Sequence, residues 1–244
     1  MLYPKTLLHN IEGTTMHPSR LKFLLLAGIT IAVALVVGCS DKNGVTNSDQ
    51  IVGSGRLVTE QRATTPFTGI QVTGIGRVVI TQDTVETLTV EADDNIIGLL
   101  TTSVDNGMLK VSLKDGSYNN VTVNVYASMK TINWLECIGA GHFSTDSLIQ
   151  TGYIFCRITG AGSMTLKGSA DSETVEITGA GEIHNFDFVS SKCSASISGA
   201  GSIEVNVTSE LSAVIAGSGI VTYSGNPQIV NQTISGTGVI GPRH

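Results

Sequence analysis

Thr159, Thr178, Ser198 and Ser235 each stand one place before a Gly-X-Gly triplet, and Ala216 fills the same place in a fifth copy of that phrase. Stacked in a row, such side chains make a flat, small, hydroxyl-rich strip suited to docking a protein, a glycan or a second copy of the chain. Ser and Thr also suit solvent-facing strand positions that bind nothing. Acid–base chemistry needs convergent carboxylates, and the nearest set is Glu91, Asp93 and Asp94. Two of these would serve as an acid/base pair or a calcium site. The same residues fit turn formation and N-capping at a solvated corner, which is the reading adopted.

His142 and His184 stand one and three places after the second glycine of their triplets, so they do not share a column. No clustered partner completes a metal site around either, and a surface or corner position is expected. The chain has neither a GXSXG nucleophile elbow nor a GGXGXD calcium repeat. No catalytic residue, metal or cofactor is assigned. An enzyme acting on polysaccharide is the alternative, and it requires a groove joining Asp83, Glu91, Asp93 or Asp94 to a basic residue such as Arg77.

Cys137, Cys156 and Cys193 precede their triplets by two, four and six places, so on a strand all three share one parity and point inward. Their number is odd and their offsets strain any bridge between neighbours, so buried free thiols acting as small apolar fillers are expected. Trp134, just before the first regular repeat, is read as a packing residue rather than a sugar platform.

The elements that must position these residues are legible from a repeat. Triplets begin at Gly139, Gly160, Gly179, Gly199, Gly217 and Gly236 and close at Gly141, Gly162, Gly181, Gly201, Gly219 and Gly238, with steps of 18 to 21 residues. Ile158, Ile177, Ile197, Ile215 and Ile234 stand two places before their triplets, and Phe143, Met164, Ile183, Ile203, Val221 and Ile240 two places after. Apolar and polar residues alternate around the glycines, which is strand and not helix periodicity. A fixed period of this length marks stacked units that bury their apolar faces against one another. The expected fold is all-β, a parallel β-helix or solenoid with 18 to 21 residues per coil, inward isoleucines and glycine corners.

Composition agrees: 244 residues, 41% hydrophobic, 14% charged and 5% aromatic, with 28 Gly. A formal net charge of −6 argues against a nucleic-acid partner. Residues 1–38 read as a signal peptide, in which Arg20 and Lys22 precede an apolar run from Phe23 to Val37. Met16 is a second plausible start, which would make residues 1–15 a mis-assigned extension. Val36-Val37-Gly38-Cys39 resembles a bacterial lipobox, which implies lipidation of Cys39 and membrane attachment through acyl chains. In the lipoproteins it resembles, a residue such as Ser40 after the cysteine directs a Gram-negative protein to the outer membrane. Residues 39–53 would then be the lipidated cysteine and a flexible tether, and residues 54–241 one solenoid domain.

Within that domain, residues 54–130 read as irregular coils that cap the stack and 131–241 as regular ones. TLTVEAD, MLKVSLK and VTVNVYA alternate as strands, Asp93-Asp94-Asn95 opens a brief helical turn toward Leu100, and Asn106-Gly107 and Asp115-Gly116 are tight-turn signals. The order FTGIQVTGIGRVVITQD, TLTVEADDNIIGLLTTSVDNGMLKVSL and then the ITGAG repeats resembles the bacterial auto-transporter adhesin, head GIN domain family, from about Gly53 to Ile240. The resemblance implies a β-helical domain on exported, often lipid-anchored proteins, and it brings no catalytic residues. The expected role is a non-catalytic adhesion or scaffold module of the cell envelope, at the surface or the periplasmic face, with a protein or glycan partner or a homo-oligomeric one. An envelope assembly or stress accessory differs from this only in its partner.

Overall fold

The computed structural model describes residues 50–244. The signal peptide, Cys39 and the tether as far as residue 49 lie outside the described residues. Ile51–Val52, which the sequence reading places in the tether, form strand β1, so folded structure is present by Ile51.

The chain is an all-β parallel solenoid. After β1 come β2 (Leu57–Gln61), β3 (Gly69–Gly74), β4 (Arg77–Gln82) and β5 (Thr87–Asp93). A single 3₁₀ turn at Ile97–Leu99 falls where the Asp-Asp-Asn signal predicts a helical turn, but its N-cap is Ile96 and no side chain caps it, so the expected N-capping by Asp93 or Asp94 does not occur. Next are β6 (Leu100–Asp105), β7 (Met108–Leu113), β8 (Tyr118–Asn119) and β9 (Val123–Met129). The regular rungs follow: β10 (Trp134–Gly139), β11 (His142–Thr145), β12 (Ile149–Gly160), β13 (Ser163–Thr165), β14 (Gly168–Gly179), β15 (Glu182–Gly199), β16 (Ser202–Gly217), β17 (Ile220–Ser224), β18 (Ile229–Gly236) and β19 (Val239–Pro242).

Each rung runs up to a glycine triplet along one sheet and leaves it along another. The pairing is parallel and in register, so one inward column reads Val111, Val72, Cys137, Ile158, Ile177, Ile197, Ile215 and Ile234. Beyond the corner the matching column reads Val125, Val78, Phe143, Met164, Ile183, Ile203, Val221 and Ile240. Members of both columns between the ends are buried, Val72 to Ile215 in the first and Val78 to Val221 in the second. Burying one such aliphatic side chain contributes about 1.5–3 kcal/mol, and the columns repeat that gain at every rung.

The corner explains the glycines. At Gly199 the backbone has φ +135°, and a Cβ would lie 2.3 Å from the Gly179 carbonyl oxygen one rung below. At Gly201, the second of the same triplet, a Cβ would meet the Gly181 oxygen and Ile177 Cγ2, each at 2.7 Å. The first glycine is thus required by conformation and by the close approach of rungs, the second by the approach alone. The carbonyls involved accept the rising rung's amides, as in Ala200 N–H to Gly179 O at 2.9 Å and Ser202 N–H to Gly181 O at 3.0 Å.

The corner column begins earlier than the repeat suggests. Gly74 pairs with Gly139, so Gly74-Ile75-Gly76 is the triplet of the rung β3–β4. The chain then leaves the regular path and returns underneath: β7 pairs parallel with β3, and β9 parallel with β4. That lower rung is sealed by antiparallel strands, β6 on β7, β5 on β9 and β2 on β5. Asn106 and Gly107, both at positive φ (50° and 75°), make the two-residue turn joining β6 to β7. The irregular first half therefore continues the stack and caps it, by an excursion inserted between two rungs that are neighbours in space.

Candidate functional site

The outer face of the sheet before the corner carries the hydroxyl strip. Thr159 pairs with Thr178, Thr178 with Ser198, Ser198 with Ala216 and Ala216 with Ser235, and all five are exposed. Adjacent strands in a sheet are about 4.8 Å apart, so these side chains form a continuous row along the stack. Two places earlier the next outward column reads Gln71, Glu136, Arg157, Glu176, Ser196, Val214 and Thr233.

That second column divides the face. Toward the capped end Gln71 donates to Glu136 at 2.7 Å, and Arg157 pairs with Glu176 at 2.8 Å and approaches Glu136 at 3.7 Å. Arg157 also lies over the rings of Phe155 and Trp134, 4.8 and 5.9 Å from their centroids, and those rings stack 4.1 Å apart. Trp134 is thus engaged in packing and not offered as a platform. Toward the other end the two columns nearest the strip hold only small or uncharged side chains, Ser194, Ser196, Ser212, Val214, Asn231 and Thr233, and charge returns only farther from the corner, in the Lys192–Glu210 pair at 3.6 Å.

The face beyond the corner is more polar. His184 bridges Glu204 and Glu182 through its two ring nitrogens, at 2.9 and 3.2 Å. Burial works against its charged form, but the two carboxylates outweigh that and hold its pKa above the ordinary histidine value. His142 lies in another column, its Nδ1 2.6 Å from the Ser163 hydroxyl, and burial together with Arg77 and His184 lowers its pKa. Among the described residues, no group of three or more His, Cys, Asp or Glu side chains has the arrangement of a metal site.

The acids of the enzyme alternative are dispersed. Asp83 accepts the Thr84 amide at 2.6 Å within its own loop. Glu91 accepts from Asn124 at 2.8 Å, and Asn124 is the strand neighbour of Arg77. Asp94 is paired with Arg56. Asp93 departs from the expected solvated corner: it is 1% exposed and accepts the amides of Gly55 and Thr122, both at 2.7 Å. It ties the segment after β1 to the segment before β9, and its neighbour Asp94 engages Ser54 and Arg56 instead.

Cys137, Cys156 and Cys193 are buried and unpaired with one another, as parity predicts. Burial raises all three thiol pKa values, those of Cys156 and Cys193 well above the ordinary value. Beside them the core holds a carboxyl group that sequence reasoning missed. Glu173 is 2% exposed, in an inward column between Ile154 and Cys193. Its Oε1 accepts from the fully buried Asn185 amide at 2.6 Å, and Oε2 has no hydrogen-bond partner. Desolvation drives its pKa up to about 7, against the opposing hydrogen bond from Asn185. The signal was present: Glu173 stands six places before its triplet, as the inward Cys193 does.

Comparisons with known proteins agree with this architecture. A crystal structure described as a putative adhesin from Bacteroides fragilis matches with a TM-score of 0.65 and 22% identity, over 79% of this chain and 100% of that one. A protein described as a putative lipid binding protein from Parabacteroides distasonis matches at 0.51 and 23%, over 80% of this chain and 100% of that one. A putative adhesin from the same organism matches at 0.50 and 22%, with the same coverage. At these identities the likeness is one of fold. No curated protein matches the sequence. The family described as "Putative auto-transporter adhesin, head GIN domain" matches residues 66–227, and the chain belongs to that family.

Proposed function

We propose that this chain is a non-catalytic, adhesion-type binding module of the bacterial cell envelope, anchored by lipid at Cys39 and presenting a flat sheet to its partner. The observation that carries this reading is the exposed row Thr159, Thr178, Ser198, Ala216 and Ser235, in which small side chains follow one another from rung to rung and all but Ala216 carry a hydroxyl, on a face whose backbone is fixed by in-register pairing. Small hydroxyl side chains on a rigid plane lose little conformational freedom when they bind, and each offers both a donor and an acceptor. Family membership is consistent with an exported or cell-surface protein. The partner is a protein or glycan surface that lies flat on the sheet.

Two measurements test this. Labelling with a radioactive fatty acid, compared between the wild type and Cys39→Ser, should show lipid on the former alone and release the latter from the membrane fraction. Protease shaving of intact cells followed by cross-linking pull-down should release the folded domain and capture a partner that Thr178→Arg/Ser198→Arg loses. Full protection from protease, or capture indifferent to the two arginines, would defeat the surface-adhesion reading.

A further inference from the structure

The two ends of the stack are unequal. At one end the outermost strands β2 and β6 are antiparallel additions that carry charge along their edges, with Glu60 ion-paired to Arg62 and Asp105 to Lys110. Charged edge strands resist pairing with other chains. At the other end β18 pairs, among the described residues, only with β16, in unbroken register from Ile229 opposite Glu210 to Gly236 opposite Gly217. No described strand takes its second edge, and its sequence IVNQTISG contains no charge, no proline and no bulge. The companion edge strand β19 is blunted by Pro242.

The free edge leaves apolar surface uncovered. Ile234, a member of the inward column that is buried at Ile215 and Ile197, is 44% exposed, and Ile229 is 51% exposed. The side chains of β18 that face outward, Ile229, Asn231, Thr233 and Ser235, are all uncharged, so no charge on that face opposes a further strand.

We infer that β18 is a self-pairing edge, through which two copies of the chain join tail to tail with their β18 strands antiparallel. A two-fold axis along the sheet normal keeps inner faces inward, so the column Val230, Gln232 and Ile234 of each copy is covered by the same column of the other, with the two Gln232 side chains meeting near the axis, where each amide offers the other a donor and an acceptor. The sheet then runs unbroken through both molecules. The contact is isologous and closes at two copies, whereas head-to-tail stacking meets the charged cap strands. Because the strand is uncharged, bringing it against itself opposes no like charges, and backbone groups supply the bonds as in other strand additions. This inference is independent of what the hydroxyl strip binds.

The test is sedimentation equilibrium of the full chain in density-matched detergent at micromolar concentration, with Thr233→Lys and Val214→Lys as variants. Thr233 lies near the middle of β18 and Val214 one rung below it in the same outward column. Wild type and Val214→Lys should sediment as dimers. Thr233→Lys, which sets two like charges across the two-fold axis, should associate at least tenfold more weakly, with an unchanged circular dichroism spectrum. A monomeric wild type, a Thr233→Lys variant as dimeric as the wild type, or equal dissociation by both lysines would overturn the inference.

Discussion

The buried carboxyl of Glu173 makes a prediction whose sign and size both come from the structure. Its ordinary pKa is 4.5 and its value in the folded chain is about 7, because burial among Ile154, Cys156 and Cys193 penalises the carboxylate. The unfolded chain therefore ionises first as pH rises. The stability that neutral Glu173 allows is fully present below its ordinary pKa and is lost as pH climbs through the folded value. The difference between the two pKa values corresponds to about 3 kcal/mol, at 1.36 kcal/mol per unit.

Glu173→Gln keeps the side chain's shape and the acceptor for Asn185 but cannot ionise. Leaving its amide N–H groups unpaired costs about 1–3 kcal/mol at every pH, so absolute stabilities are a poor test. The slope is the clean one. Urea unfolding of both proteins between about pH 4 and about pH 8 should show the wild type losing about 3 kcal/mol more than the variant. His184, whose raised pKa also gives stability that fades as pH rises, titrates in both chains and cancels in the comparison. Parallel pH profiles would refute a neutral, buried Glu173.

Further outcomes follow from the corner, the cap and the thiols. Gly199→Ala forces φ +135° on an alanine and sets its Cβ against the Gly179 carbonyl; thermal unfolding should show a loss of about 3 kcal/mol or more, or no folded protein. Asp93→Ala removes the acceptor from the amides of Gly55 and Thr122. It should cost about 2–5 kcal/mol and raise amide hydrogen exchange around β1 and β9 more than in the regular rungs. Cys137, Cys156 and Cys193, buried with raised pKa values, should resist a thiol reagent in the native state and react once urea unfolds the chain.

The regular rungs were legible because one rule, alternation counted from a glycine pair, fixes both register and face. It places Ile177 against Ile197 and turns Thr178 outward, and the structure has both. The same counting reaches Glu173, but residue type suggests a solvated face and only neighbouring rungs reveal that the position is interior. Asp93 was illegible for a related reason. Its partners, the amides of Gly55 and Thr122, come from segments distant in sequence, and no local pattern distinguishes a carboxylate that clamps backbone from one that caps a turn.

The capped end shows why spacing hides topology there. Gly74 and Gly139 are neighbours across one strand pair, yet the residues between them form the rung beneath Gly74 and the antiparallel strands that close it. A period measured along the chain cannot register such an excursion, so the Gly74-Ile75-Gly76 triplet looks isolated. The consequence is energetic as well as topological. Val72 and Val78 are buried from below by Val111 and Val125, which arrive later in the chain, so the first rung gains its full apolar burial only after β9 is in place. At the opposite end no such return occurs among the described residues, and Ile234 keeps the exposure that Val72 loses. One repeat thus produces a sealed head and a pairing-competent tail, and the difference lies in what covers the last inward side chain.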